Sequence, residues 1–153
     1  MKLHNKKELK DNLCSILQNT EFVVFALLFG SSARAELNPM SDLDIGVYTE
    51  RETSLIELGR VCFRLEIETG RSVDLVVLNT LYKKHPALAY RIITEGELLL
   101  CRDMEKFVEF KKNTFLYYLD TLYLIEKFNS ALQERIKNRM FGIREYAGKV
   151  KTS

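Results

Sequence analysis

Leu9, Leu13, Ile16 and Leu17 recur at the spacing of one helical face, and Lys, Glu, Asp and Asn fill the opposite face. This predicts a surface helix over residues 5–19. From Phe22 to Phe29 the chain is apolar without interruption, rich in Val and Phe, and a glycine follows. The length of the run and that glycine favour a buried strand. Gly30, Ser31 and Ser32 suit a tight exit into a short helix with a serine as N-cap. Asn38-Pro39 ends that helix, because a residue before proline is pushed out of helical geometry. A second strand is expected over 42–49. In it, Asp42 and Asp44 point to one side, while Leu43, Ile45 and Val47 take the other and are buried. The Asp pair is thus expected to face a cleft and not the core.

The pattern continues with Leu55, Leu58, Cys62 and Leu65, three and four apart, and Gly70 as a stop, giving a helix over 53–69. Residues 72–78 read as a third strand of Val and Leu whose one charge is Asp74, a carboxylate that needs a partner if it is buried. A helix over 81–94 is interrupted at His85-Pro86 and closed by Gly96, and 97–101 is a short fourth strand. From Asp103 the period is helical to about residue 147, with Asn129-Ser130 and Gly142 as candidate breaks. Tyr117, Tyr118, Tyr123, Leu124, Ile125 and Phe128 widen the apolar stripe of Phe115, Leu119 and Leu122 beyond one face. A helix apolar on most sides is buried on most sides, by its own chain or by another. The expected class is α/β (α+β): a core over 1–102 with about four strands, and a helical extension over 103–153 packed on it as one structural domain.

Composition narrows the function only coarsely. The 153 residues carry 23 basic and 21 acidic side chains, a net charge of +2, so nothing global drives the chain onto nucleic acid. The basic tail residues Arg135, Lys137, Arg139, Arg144, Lys149 and Lys151 read as a solvated helix face. Cys14, Cys62 and Cys101 are odd in number and lack a C-x-x-C spacing, which supports neither a disulfide framework nor a zinc site. The apolar run at 22–29 is far short of the roughly 20 residues that span a bilayer, and the polar segment before it is no signal-peptide start. A cytoplasmic protein without a membrane partner is the expectation. His4 and His85 have no partners at metal spacing and form no Ser-His-Asp set.

The candidate chemistry lies in the carboxylates. Asp42, Asp44 and Asp74 brought together repel one another unless protonated or holding cations. Oxygen-only ligands suit Mg²⁺, which normally keeps positions open for water and substrate phosphates. The turn at Gly30-Ser31 feeds a helix N-terminus whose N–H groups and dipole favour phosphate, and Arg34 lies one turn on. Arg34 serves equally well as a surface salt-bridge partner for Glu36, and Ser41 as a cap for the turn. Two metals of this kind support an in-line displacement at phosphorus, with Asp74 taking the proton of the acceptor hydroxyl.

Gly30-Ser31, ten residues, Asp42-x-Asp44 and Asp74 in a following strand together resemble the motif of the DNA polymerase β-like nucleotidyltransferase superfamily. Gly-Ser-x-Ala-Arg followed by Ser-Asp-Leu-Asp-Ile resembles its minimal nucleotidyltransferase (MNT) branch. The resemblance implies that family's mixed-sheet core and a transferase dependent on Mg²⁺, with two ions, and on a nucleoside triphosphate. By it, Asp42, Asp44 and Asp74 are the metal and catalytic triad, and Gly30, Ser31, Arg34 and Ser41 contact the nucleotide. Many members of that branch are antitoxins paired with a HEPN ribonuclease toxin, and some move AMP from ATP to a tyrosine of it. The nuclease's Arg, four to six residues, His pattern is absent, so this chain reads as the antitoxin half. Ala35 stands where the branch usually has glycine; a need there for positive φ or close backbone approach would weaken nucleotide affinity, whereas in a helix, the favoured reading, alanine is harmless or better. The rival expectations are a small-molecule nucleotidyltransferase of the antibiotic-modifying kind and an antitoxin that neutralises by binding alone. Acceptor, nucleotide choice and self-association are left open by the sequence.

Overall fold

The computed structural model describes residues 2–30 and 41–138, with side chains from residue 6. The expected short helix after Ser31 and the tail beyond Asn138 lie outside the described residues. In order, the elements are α1 (Lys2–Gln18), β1 (Val23–Phe29), β2 (Leu43–Thr49), α2 (Leu55–Thr69), β3 (Val73–Val77), α3 (Leu81–Lys84), α4 (Pro86–Glu95), β4 (Glu97–Cys101) and α5 (Met104–Asn138). The chain divides into two compact units, Met1–Tyr117 and Tyr118–Ser153.

In the first unit the strands form one mixed sheet in the order β3-β2-β1-β4. β1 runs antiparallel to both β2 and β4, while β2 and β3 are parallel. A parallel pair needs a crossover longer than a turn, and α2 supplies it. The ends of α2 are those its sequence calls for. Ser54 and Glu57 form a reciprocal capping box, and Gly70 closes the helix in the left-handed region at φ 68°. Proline at the start of α4 separates it from α3 at His85, as the His85-Pro86 step predicts. Asn129-Ser130 does not interrupt α5, which runs unbroken across them.

β1 is buried over 23–28 because both faces of the sheet are covered. On one face Leu13 and Leu17 of α1 and Val61 and Leu65 of α2 pack against Ala26, Leu28, Leu43, Ile45 and Val47. On the other, Leu81, Ala89, Ile92 and Phe110 pack against Phe25 and Leu27, with Tyr48 and Val76 partly buried beside them. Phe25 stacks on Tyr48 at 4.7 Å between ring centres and meets the tilted rings of Phe107 and Phe110. The Asp-bearing face of β2 is therefore a second core along most of its length, and only its beginning is open.

Polar groups at the far ends of the strands are closed off with care. The Asn79 side chain accepts from the Thr49 backbone N–H at 2.9 Å and donates to the Thr49 carbonyl at 2.7 Å, tying the end of β2 to the segment after β3. Arg102 donates to the carbonyls of Gln18, Thr20 and Val23, capping the end of α1 from the far edge of the sheet.

Candidate active site

The register of the parallel pair sets Asp44 directly beside Asp74, and the antiparallel register sets Phe29 opposite Asp44. Gly30, the next residue after β1, thereby comes against the Asp44 carboxylate. It adopts φ 73°, and a Cβ built on it would overlap Asp44 Oδ2. Glycine is needed there twice over, for the left-handed backbone and for room for the carboxylate. Asp42 immediately precedes β2 and is exposed, and Ser41 before it is half-buried. The first strand residue, Leu43, is locked by its N–H donating to the Ser72 carbonyl at 2.9 Å.

Asp44 is half-buried, and its carboxyl is pushed above the usual carboxylate range, first by burial and then by the negative charges of Asp74 and Asp42. Asp44 thus lies within electrostatic reach of both its strand neighbour Asp74 and Asp42. Asp74 is exposed at the open end of the sheet face it shares with Asp44, so the partner that a buried carboxylate would have demanded is unnecessary. Of the residues singled out in the sequence, Gly30, Asp42, Asp44 and Asp74 are thus gathered at one end of the sheet beside Ser41. Ser31 and Arg34 lie outside the described residues. Asn79 was not singled out, although an Asn straight after an apolar strand is a signal for a side chain that closes a strand end.

Among the described residues no three His, Cys, Asp or Glu side chains form a ready-made metal cage. Mg²⁺ does not require one, since one or two carboxylates suffice when substrate phosphates complete its shell. A half-buried carboxylate crowded by two others, with oxygen donors only, fits a hard divalent cation.

The sheet order, the crossover and the carboxylate cluster define a nucleotidyltransferase domain. A model of the family Polymerase beta, Nucleotidyltransferase matches residues 11–105, and the chain belongs to that family. A Methanocaldococcus jannaschii protein described as a candidate protein adenylyltransferase is 37% identical over 92 residues, which cover 60% of this chain and 95% of the relative. Among solved structures, a chain of a toxin-antitoxin structure with AMP-PNP superposes with a TM-score of 0.55 at 20% identity, covering 86% of this chain and 98% of that one. A chain of the toxin-antitoxin MntA-HepT gives 0.51 at 18% identity, covering 88% and 98%. At these identities the likeness to the solved structures is one of fold.

Proposed function

We propose that the chain transfers AMP from ATP to a hydroxyl of a partner protein, a tyrosine of a HEPN-type toxin, and so acts as the antitoxin of a pair. The observation that carries this reading is the crowding of Asp44 by Asp74 and Asp42 beside the left-handed Gly30, in a chain of nucleotidyltransferase family. The relative described as a candidate protein adenylyltransferase supports a protein acceptor.

In this reading Gly30 and Ser31 present backbone N–H groups to the triphosphate, with Arg34 and Ser41 beside them. Asp42 and Asp44 would hold Mg²⁺, and Asp74 would complete a second position. When bound, the metal offsets charge on the phosphates at the reacting phosphorus. Asp74, exposed on the edge strand, takes the proton of the acceptor hydroxyl as its oxygen bonds to the α-phosphorus and pyrophosphate departs. Asp44, half-buried against Gly30, is the fixed member of the set. Leu119, Leu122, Ile125 and Phe128 of α5 are exposed, and in this reading they are offered to the toxin. A cytoplasmic setting is in keeping with the free thiols Cys14, Cys62 and Cys101, and among the described residues no helix is long and apolar enough to cross a membrane.

Labelled ATP, Mg²⁺ and the product of the neighbouring gene are incubated with the chain, and the partner is digested for mass spectrometry. A tyrosine gains AMP with the wild type and none is labelled with Asp42→Ala or Asp44→Ala. Label on an aminoglycoside, with none on the partner, would establish small-molecule transfer. Neutralisation that survives both substitutions in cells would show that binding alone suffices.

A further inference from the structure

α2 has a second apolar face that the fold does not use. Leu58, Val61, Cys62 and Leu65 turn toward the sheet, while Leu55, Ile56, Phe63 and Ile67 stand exposed at 87%, 68%, 62% and 65%. Leu55, Gly59, Phe63 and Ile67 are each four apart and so form one ridge of the kind that packs into a neighbouring helix. Gly59 breaks the ridge in mid-helix, and a Cβ built there meets nothing within 4 Å. A glycine in an exposed helix interior costs stability without local gain. What it leaves is a notch in which another backbone can approach.

Charge says what kind of helix fits. Arg60 and Arg64, one turn apart beside this ridge, have neither ion pair nor hydrogen bond to any described residue, whereas Arg51 is bound through both guanidinium nitrogens to Glu57 and senses Glu50. The two arginines and Phe63 line a groove of about 580 Å³ that reaches Phe22 and also carries Glu21, Glu50 and the Arg51–Glu57 pair. A second copy of the chain is disfavoured in the antiparallel pairing of two α2 helices, where the Arg60-Arg64 flank would face its own like charge. The groove lies at the Glu50 end of β2, about 20 Å along the strand from Asp44, and α2 packs on the face of the sheet opposite the Asp cluster.

We propose that the outward face of α2 is a docking surface for an amphipathic helix of a partner protein, its apolar stripe laid on Leu55, Phe63 and Ile67 across the notch at Gly59 and its flanking carboxylates paired with Arg60 and Arg64. The surface acts independently of nucleotidyl transfer.

The probe is a fluorescein-labelled, stapled amphipathic peptide with leucines on one face and glutamates on both flanks, compared by anisotropy with a twin bearing lysines. The Glu peptide binds at least about tenfold tighter than the Lys twin, and the double variant Arg60→Glu, Arg64→Glu reverses the order. Phe63→Ala weakens both peptides. Gly59→Gln separates docking from folding, since it raises the melting temperature by replacing a helix-interior glycine yet weakens the peptide by filling the notch. Absence of saturable binding, equal affinity for the twins, or affinity untouched by Gly59→Gln and Phe63→Ala would overturn the proposal. So would sedimentation showing a dimer that Phe63→Ala dissolves, which would make the occupant a second copy.

Discussion

The two ends of β2 treat polar groups in opposite ways. At Thr49 the backbone N–H and carbonyl are both taken by the one side chain of Asn79, and no charge is involved. At Asp44, five residues away on the same strand, a half-buried carboxylate sits beside two more carboxylates and against a left-handed glycine. A domain that satisfies its buried polar groups at one end and crowds them at the other is spending stability where chemistry is expected. The closed end holds the strands in place; the crowded end is positioned by that hold.

The comparison breaks most visibly at Asp44. A carboxyl whose folded value is raised is disfavoured in its charged form by folding, so it costs stability at neutral pH. Asp44→Asn should therefore lower AMP transfer by on the order of 100-fold or more while leaving the melting temperature equal or higher. A variant that lost both activity and stability would show that Asp44 belongs to the fold. At the other end, Asn79→Ala should behave in reverse. It leaves the partly buried Thr49 backbone groups without their partner and costs about 1–3 kcal/mol in denaturant unfolding, with nucleotide affinity unchanged in the folded fraction. Gly30→Ala combines the two effects, because the left-handed backbone and the Asp44 oxygen both oppose a Cβ. About 1–3 kcal/mol of destabilisation is expected, together with weakened ATP binding by calorimetry.

The smallest effect sharpens the contrast between a carboxylate that is crowded and one that is paired. Glu97 starts β4 and bonds Lys10 at 2.7 Å and Lys6 at 3.0 Å, and these partners hold its carboxyl below the usual range against a smaller opposing effect of burial. A depressed carboxylate contributes stability that is present above its unfolded value and lost as pH falls through its folded one. Lys10→Met should remove part of that acid-side slope, read from melting temperatures between about pH 5 and pH 3, and leave stability near neutrality only slightly lower.

Local pattern in the chain already contained the strands, the helix caps and the parity of β2. Alternation places Asp44 opposite in direction to Leu43 and Ile45 whatever the rest of the molecule does, and Ser54, Glu57 and Gly70 act within a few residues of themselves. Gly30 was legible as a turn residue for the same reason. What the sequence could not decide depended on distant residues. Asp74 stands beside Asp44 because α2 returns the chain to pair β3 parallel to β2, and Asp74 is exposed because the elements that cover that sheet face further along do not reach its start. The buried face of α2 was a similar case. Leu55 belongs to the apolar spacing read from the sequence, yet it is 87% exposed, since two apolar faces share the helix and contact with α1 and the sheet selects the one bearing Val61 and Leu65. Periodicity fixes which side chains travel together; only packing against remote elements fixes which group is covered, and only strand pairing across some thirty residues assembles the three carboxylates.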